Sequence, residues 1–218
     1  MSVASVTEMV KPKLRGWLHA GAAPLVLACG IVLVALSRGA AEITSSSIYA
    51  LSIVLLFTVS AIYHRGRWSP RALRALKRFD HANIFFIIAG TYTPFAVLLL
   101  DGGARTALLV IVWAGAAIGA GFRVFWIGAP RWLYVPAYLL LGWVAVAYLP
   151  QFTSTGGVAV MVLLAAGGLL YTAGGIVYGT RRPDPSPAWF GFHEVFHSLT
   201  LLAFACQYVA ISLVTYRH

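Results

Sequence analysis

Charge is what this chain has least of. Only 10% of its 218 residues are charged, and six of them are carboxylates, while 60% are hydrophobic and the mean hydropathy is +0.83. A soluble domain of this length would need far more charge to cover its surface, so that class is excluded. Cysteine is scarce too: Cys29 and Cys206 sit in the middle of the first and last apolar runs. Two isolated thiols in apolar surroundings act as small hydrophobes, which leaves no disulfide framework and no thiolate metal site. Low-complexity tracts and a clear internal repeat are also missing, and the polar connections are too short for a second domain.

What fills the chain instead is a series of apolar runs, each near the roughly 20 residues that one bilayer crossing needs. Seven can be marked, over 17–37, 43–64, 79–100, 104–122, 132–149, 157–178 and 193–216. Turn-forming residues separate them, among them Asp101-Gly102-Gly103, Gly128-Ala129-Pro130 and Arg182-Pro183-Asp184-Pro185. The expected fold is therefore all-α: an integral membrane seven-transmembrane helical bundle over 17–218, preceded by a cytoplasmic N-terminal segment over 1–16. The first run exceeds the 7–15 residues typical of a signal-peptide core, so it is expected to remain as a helix.

The basic residues set the orientation. With the N-terminus inside, thirteen of the sixteen Lys and Arg fall on the cytoplasmic side, leaving Arg38, Arg105 and Arg217 outside. That bias in short loops predicts a cytoplasmic N-terminus and an external C-terminus. It also accounts for the net charge of +10, which otherwise would suggest a nucleic-acid partner; none is expected. The six cations between the second and third spans fit either a patch that attracts anionic lipid or a plain topology anchor, and the anchor is the simpler reading.

Given this topology, four ionisable residues from separate spans share the cytoplasmic leaflet: His64, Asp80, His193 and His197. Ionisable groups at membrane depth are costly and mark function. His193 and His197 are four apart and so share a helix face. Three imidazoles with a nearby carboxylate suggest zinc with one open position, the arrangement that catalysis uses. Ser60 lies one turn from His64, where its hydroxyl would orient a reacting group or bond back to its own helix. His81 points about 100° away from Asp80 and is expected to support the site or sit at the interface. His19 is expected at the interface, and His218 in the tail. The run His193-Glu194-Val195-Phe196-His197 also matches H-E-x-x-H, in which Glu194 would be the base of a metalloprotease. The one Asp-Gly pair, Asp101-Gly102, falls on the opposite side and cannot supply that class's third ligand.

Several runs together resemble the hemolysin III family, the bacterial branch of the progestin and adipoQ receptor superfamily. They are Lys11-Pro12-Lys13-Leu14-Arg15-Gly16-Trp17-Leu18-His19, Ser60-Ala61-Ile62-Tyr63-His64, Phe79-Asp80-His81-Ala82-Asn83-Ile84-Phe85, Ile88-Ala89-Gly90-Thr91-Tyr92-Thr93-Pro94 and Gly191-Phe192-His193-Glu194-Val195-Phe196-His197. The resemblance covers essentially the whole chain and implies seven helices with the N-terminus inside. It also implies a zinc site in the cytoplasmic leaflet, with the superfamily's S-x-x-x-H on Ser60 and His64, its aspartate on Asp80 and its H-x-x-x-H on His193 and His197. In the adiponectin-receptor branch such a site is linked to ceramide hydrolysis, and bacterial relatives are tied to cytolysis and to membrane lipid homeostasis. The position of Glu194 is not acidic in adiponectin receptors, so no role for it is carried over.

The resulting expectation is a zinc-dependent hydrolase in the plasma membrane, acting on an amide or ester of a membrane lipid. His64, His193 and His197 hold Zn2+, Asp80 is the base, and Ser60 steadies the oxyanion. Two alternatives belong to other classes: a membrane sensor or receptor with a structural zinc, and a hemolysin-like cytolytic pore. The pore suffers from the few polar residues in the outer halves of the spans.

Overall fold

The computed structural model describes residues 11–217, so the first ten residues of the expected N-terminal segment and the terminal His218 lie outside the described residues. The described residues form helices α1 (Trp17–Ala35), α2 (Ala40–Arg65), α3 (Pro70–Leu99), α4 (Gly102–Phe125), α5 (Arg131–Gly142), α6 (Leu149–Gly156), α7 (Val158–Thr180) and α8 (Phe192–Thr215). A 3₁₀ segment, Trp143–Tyr148, joins α5 to α6 so that the three pieces make one crossing, Arg131–Gly156. There are thus seven helical crossings long and apolar enough to span a membrane.

Their arrangement follows from how each helix distributes its apolar surface. In most crossings apolar residues cover the whole circumference, as expected where the outer face meets lipid and the inner face meets protein. Leu25, Ile31, Leu51, Ile118 and Leu169 all face outward, while Leu33, Ile53, Leu108 and Ile211 are fully buried. Consecutive helices pack side by side from α1 to α4, α7 lies along α8, and α8 returns to α1. Helix α3 occupies the middle, touching α2, α4, α5, α6 and α8. A glycine allows one of these approaches: Gly90 of α3 lies where a Cβ would collide with the Ser52 side chain of α2.

Two elements differ from the sequence expectation, each for a physical reason. Helix α3 starts at Pro70 rather than residue 79. Ser69 caps it, its Oγ accepting from the Ala72 amide at 3.3 Å, and Pro70 takes the first-turn position where no amide donor is needed. The added turns carry Arg71, Arg74, Lys77 and Arg78, and hydropathy cannot register helix that polar. The fifth crossing does not stop before Pro150 but continues through it to Gly156. Its mid-span break frees backbone groups, which the Tyr92 hydroxyl of α3 collects by donating to the Gly142 carbonyl and accepting from the Ala145 amide at 2.7 Å. A neighbouring helix must do this inside a bilayer, where no water is present to help.

Candidate metal centre

The end of the bundle that carries the start of α1 brings the histidines together. His64 ends α2, and His193 and His197 occupy the first two turns of α8. Each of the three offers a ring nitrogen within 4.8 Å of the other two. The Nε2 atoms of His64 and His193 are 3.2 Å apart. Two nitrogens bound to one tetrahedral zinc at 2.0–2.1 Å would be separated by about 3.3 Å, so this pair already has the spacing of a shared metal. The donor set is three imidazoles with no thiolate, which suits zinc.

Local structure holds His193 and His64 in place. At the start of α8, the Asp184 carboxylate accepts from the Phe192 amide at 2.8 Å, and Glu194 Oε2 accepts from the Gly191 amide at 2.9 Å. These bonds fix the first turn, and with it His193. At the end of α2, Lys11 Nζ donates to the His64 carbonyl, placing a cation against a helix C-terminus. Partial burial and the nearby Arg15 and Arg65 hold the Lys11 pKa below its ordinary value. Gly16 then passes over His64 with φ +82°, and a Cβ there would come within 2.5 Å of the His64 Cβ. The segment 11–16 is tied down on its other flank by Lys13 and Leu14, whose amides donate to the carbonyls of Ala188 and Trp189 at 2.9 and 3.1 Å.

Asp80 and Ser60 are both buried and both line the cavity next to the histidines, the Ser60 hydroxyl standing against the Asp80 carboxylate. Asp80 is outside the three-histidine cluster. Many serines and threonines of this bundle, such as Ser37, Thr93 and Thr172, bond back to their own helix. Among the described residues Ser60 shows no such bond.

The other expectations fare differently. Glu194 is 1% exposed, and both its oxygens are engaged, one by the Gly191 amide and the other by the Arg15 guanidinium. It stands outside the cavity lining, a position that suits a structural anchor better than a base. His19 is a correction: it is not interfacial but 3% exposed, its ring stacked on His197 with centroids 3.8 Å apart. The start of α1 packs inward because the 11–16 segment crosses the bundle end, a tertiary effect that no single-helix pattern reveals. His81 is also buried, its Nδ1 2.5 Å from Nη2 of Arg123. Arg123, one of the thirteen cations expected on the cytoplasmic side, is 1% exposed. Basic side chains near helix ends usually reach for the interface, and its inward turn has no signature in sequence.

The cavity of ≈ 290 Å³ begins at His193, His197, Ser60 and Asp80 and extends between α3, α5, α7 and α8. Away from the histidines its walls are mainly apolar, with Ile84, Ile88, Phe95, Leu139 and Leu164. Its size is near the lower end of ligand pockets, which run from about 300 to 1,000 Å³. Leu169, Val146 and Trp143 line it while also being exposed on the outer face of the bundle. The arrangement is a polar, metal-ready end joined to an apolar sleeve.

The chain is similar in sequence to several known proteins. Residues 7–208 match the family described as Haemolysin-III related. The chain is 33% identical over 183 residues to the hemolysin-3 homolog of Bacillus subtilis, covering 83% of this chain and 82% of that one. It is 31% identical over 178 residues to hemolysin-3 of Bacillus cereus, covering 79% and 80%. The human monocyte to macrophage differentiation factor is 26% identical over 174 residues, with 78% and 70% covered.

Proposed function

This chain belongs to the Haemolysin-III related family, and on that premise we propose that it is a zinc-dependent integral membrane hydrolase of lipid amides or esters. The observation carrying the proposal is the junction of three convergent imidazoles with Asp80 and Ser60 at the polar end of an apolar cavity. The lipid's acyl chain occupies the apolar sleeve, and its amide or ester group reaches the histidine end. His64, His193 and His197 would hold the zinc, which when bound would supply a Lewis acid able to lower the pKa of water toward about 7. Asp80, an acceptor only when ionised, takes the proton from the attacking water and passes it to the leaving group. The Ser60 hydroxyl has a single proton, which it donates to the oxygen that gains negative charge. The apolar walls keep bulk water from the reacting group.

The site lies at the bundle end bearing Lys11, Arg15, Arg65, Arg131 and Arg181, and the Lys/Arg bias supports a place in the cytoplasmic leaflet, in keeping with a plasma-membrane protein. A second reading has one observation in its favour: the histidines come from α2 and α8, and a metal between them would hold the bundle closed in a sensor or receptor. The name hemolysin-3, borne by a relative, raises cytolysis as well. A conducting path would need polar walls, and this cavity's are mainly apolar.

The deciding experiment measures turnover of ceramides and other acyl lipids by purified, zinc-loaded protein. Asp80→Asn should keep its zinc and lose about 10²–10⁴-fold in rate, the usual contribution of a general base. Glu194→Gln should retain turnover. The opposite pattern would make Glu194 the base, and no cleavage by the parent across the panel would leave the sensor reading in front.

A further inference from the structure

Glu194, the acidic residue of the H-E-x-x-H run, takes no part in the proposed chemistry. Among the described residues there are two ion pairs: Asp101 and Arg105 meet within one helix, whereas Arg15 and Glu194 stand 179 positions apart. The Glu194 side chain is 2% exposed and that of Arg15 17%. A carboxylate buried this deeply is costly unless charge and hydrogen bonds compensate it, and Arg15 supplies both.

Arg15 belongs to the segment 11–16, which crosses the histidine end of the bundle as a strap. Lys11 donates to the His64 carbonyl, and Gly16 sits against the His64 side chain, which is 7% exposed. On the other flank the Lys13 and Leu14 amides donate to the loop before α8, and Lys13 Nζ lies 4.0 Å from the Trp189 ring centroid. Just past the strap, His19 stacks on His197. An ion from water has few ways to reach these histidines. On the cavity side the walls are mainly apolar and open toward lipid at Leu169, Val146 and Trp143, a costly route for a divalent cation. The polar approach is from the end that the strap covers.

We propose that Arg15 and Glu194 form a latch that holds the 11–16 strap closed over the metal centre, so that zinc enters and leaves from the aqueous side only when this pair opens. The proposal rests on the zinc site of the reading above. Glu194 is placed to fasten the strap, because one of its oxygens caps the turn of α8 that carries His193 while the other holds Arg15. The strap is thereby tied to the helix that supplies two of the three ligands. Both residues are positioning residues, and bond cleavage is left to other groups.

The test follows zinc exchange in the purified full chain without substrate, as release to excess chelator and as uptake by metal-free protein, both against a fluorescent zinc indicator. Arg15→Gln removes the cation and should speed exchange about tenfold to a hundredfold in both directions, the worth of a charge-assisted hydrogen bond read as a rate. Arg15→Lys keeps the charge and should restore most of the parent's slow exchange. Trypsin gives a readout that needs no metal: cleavage after Lys13, inside the strap, should be faster in Arg15→Gln than in the parent. Glu194→Gln keeps an oxygen for the Gly191 amide and should behave like Arg15→Gln, and it decides alone if Arg15→Gln fails to fold. Exchange or cleavage no faster than the parent's in the folded variants would overturn the latch. Faster release with unchanged uptake would overturn it too, since the pair would then steady the ligands without closing the site. Zinc absent from the parent would overturn the metal reading and the latch together, whereas absent lipid turnover with this exchange pattern intact would fault the hydrolase reading alone.

Discussion

Gly16 shows how much a single position can impose on the site. Its backbone is left-handed, and the added methyl of an alanine would meet His64 Cβ at 2.5 Å. Gly16→Ala should cost about 1–2 kcal/mol for the left-handed conformation alone, and more as His64 is pushed aside. The expected readout is weaker zinc binding in a competitive chelator titration, with helix content by circular dichroism unchanged. Unaltered zinc affinity would mean that the 11–16 segment does not position His64. At this scale the sequence was only partly legible. His64, Asp80, His193 and His197 stood out because ionisable residues are conspicuous in apolar runs. Gly16, His19 and Arg123 did not, because their significance lies in contacts between elements distant in the chain. The engagement of Glu194 with Arg15 was hidden for the same reason, since 179 positions separate them.

Among the elements, the fifth crossing has the most conditional structure. Its 3₁₀ break depends on Tyr92, which serves both a carbonyl and an amide across the gap. Tyr92→Phe would leave a carbonyl and an amide unpaired within a membrane crossing, at about 1–3 kcal/mol each. Thermal melting in detergent should register a lower midpoint, with the ring's packing otherwise kept; an unchanged midpoint would show that the break satisfies itself. Helices α2 and α8 depend on each other in a different way, through the ligands they share. Metal affinity drawn from a folded site adds to stability, so verified removal of zinc should also lower the melting midpoint. A melting curve indifferent to chelation would remove the metal as a clamp between these helices. Apolar run lengths revealed that the crossings exist, because a bilayer demands a minimum span. The early start of α3 and the passage of the fifth crossing through Pro150 were less visible, since hydropathy records what meets lipid and not where hydrogen bonding ends.

For the whole molecule, the seven crossings and the family agree with what composition and motifs imply. The ring of helices around α3 was not legible, because uniformly apolar helices carry little information about which face turns inward. The cavity belongs to this level as well: it arises where α3, α5, α7 and α8 fail to close completely, and no single segment encodes it. Its polar end joins residues from positions 60 to 197, and the proposed chemistry depends on a metal being held there. Elemental analysis of the purified protein therefore tests the central claim most directly. The account predicts about one zinc per chain, as three convergent imidazoles with an open fourth position would bind, and a sharp loss in both His193→Ala and His197→Ala. Zinc absent from the parent, or full retention in both folded variants, would contradict it.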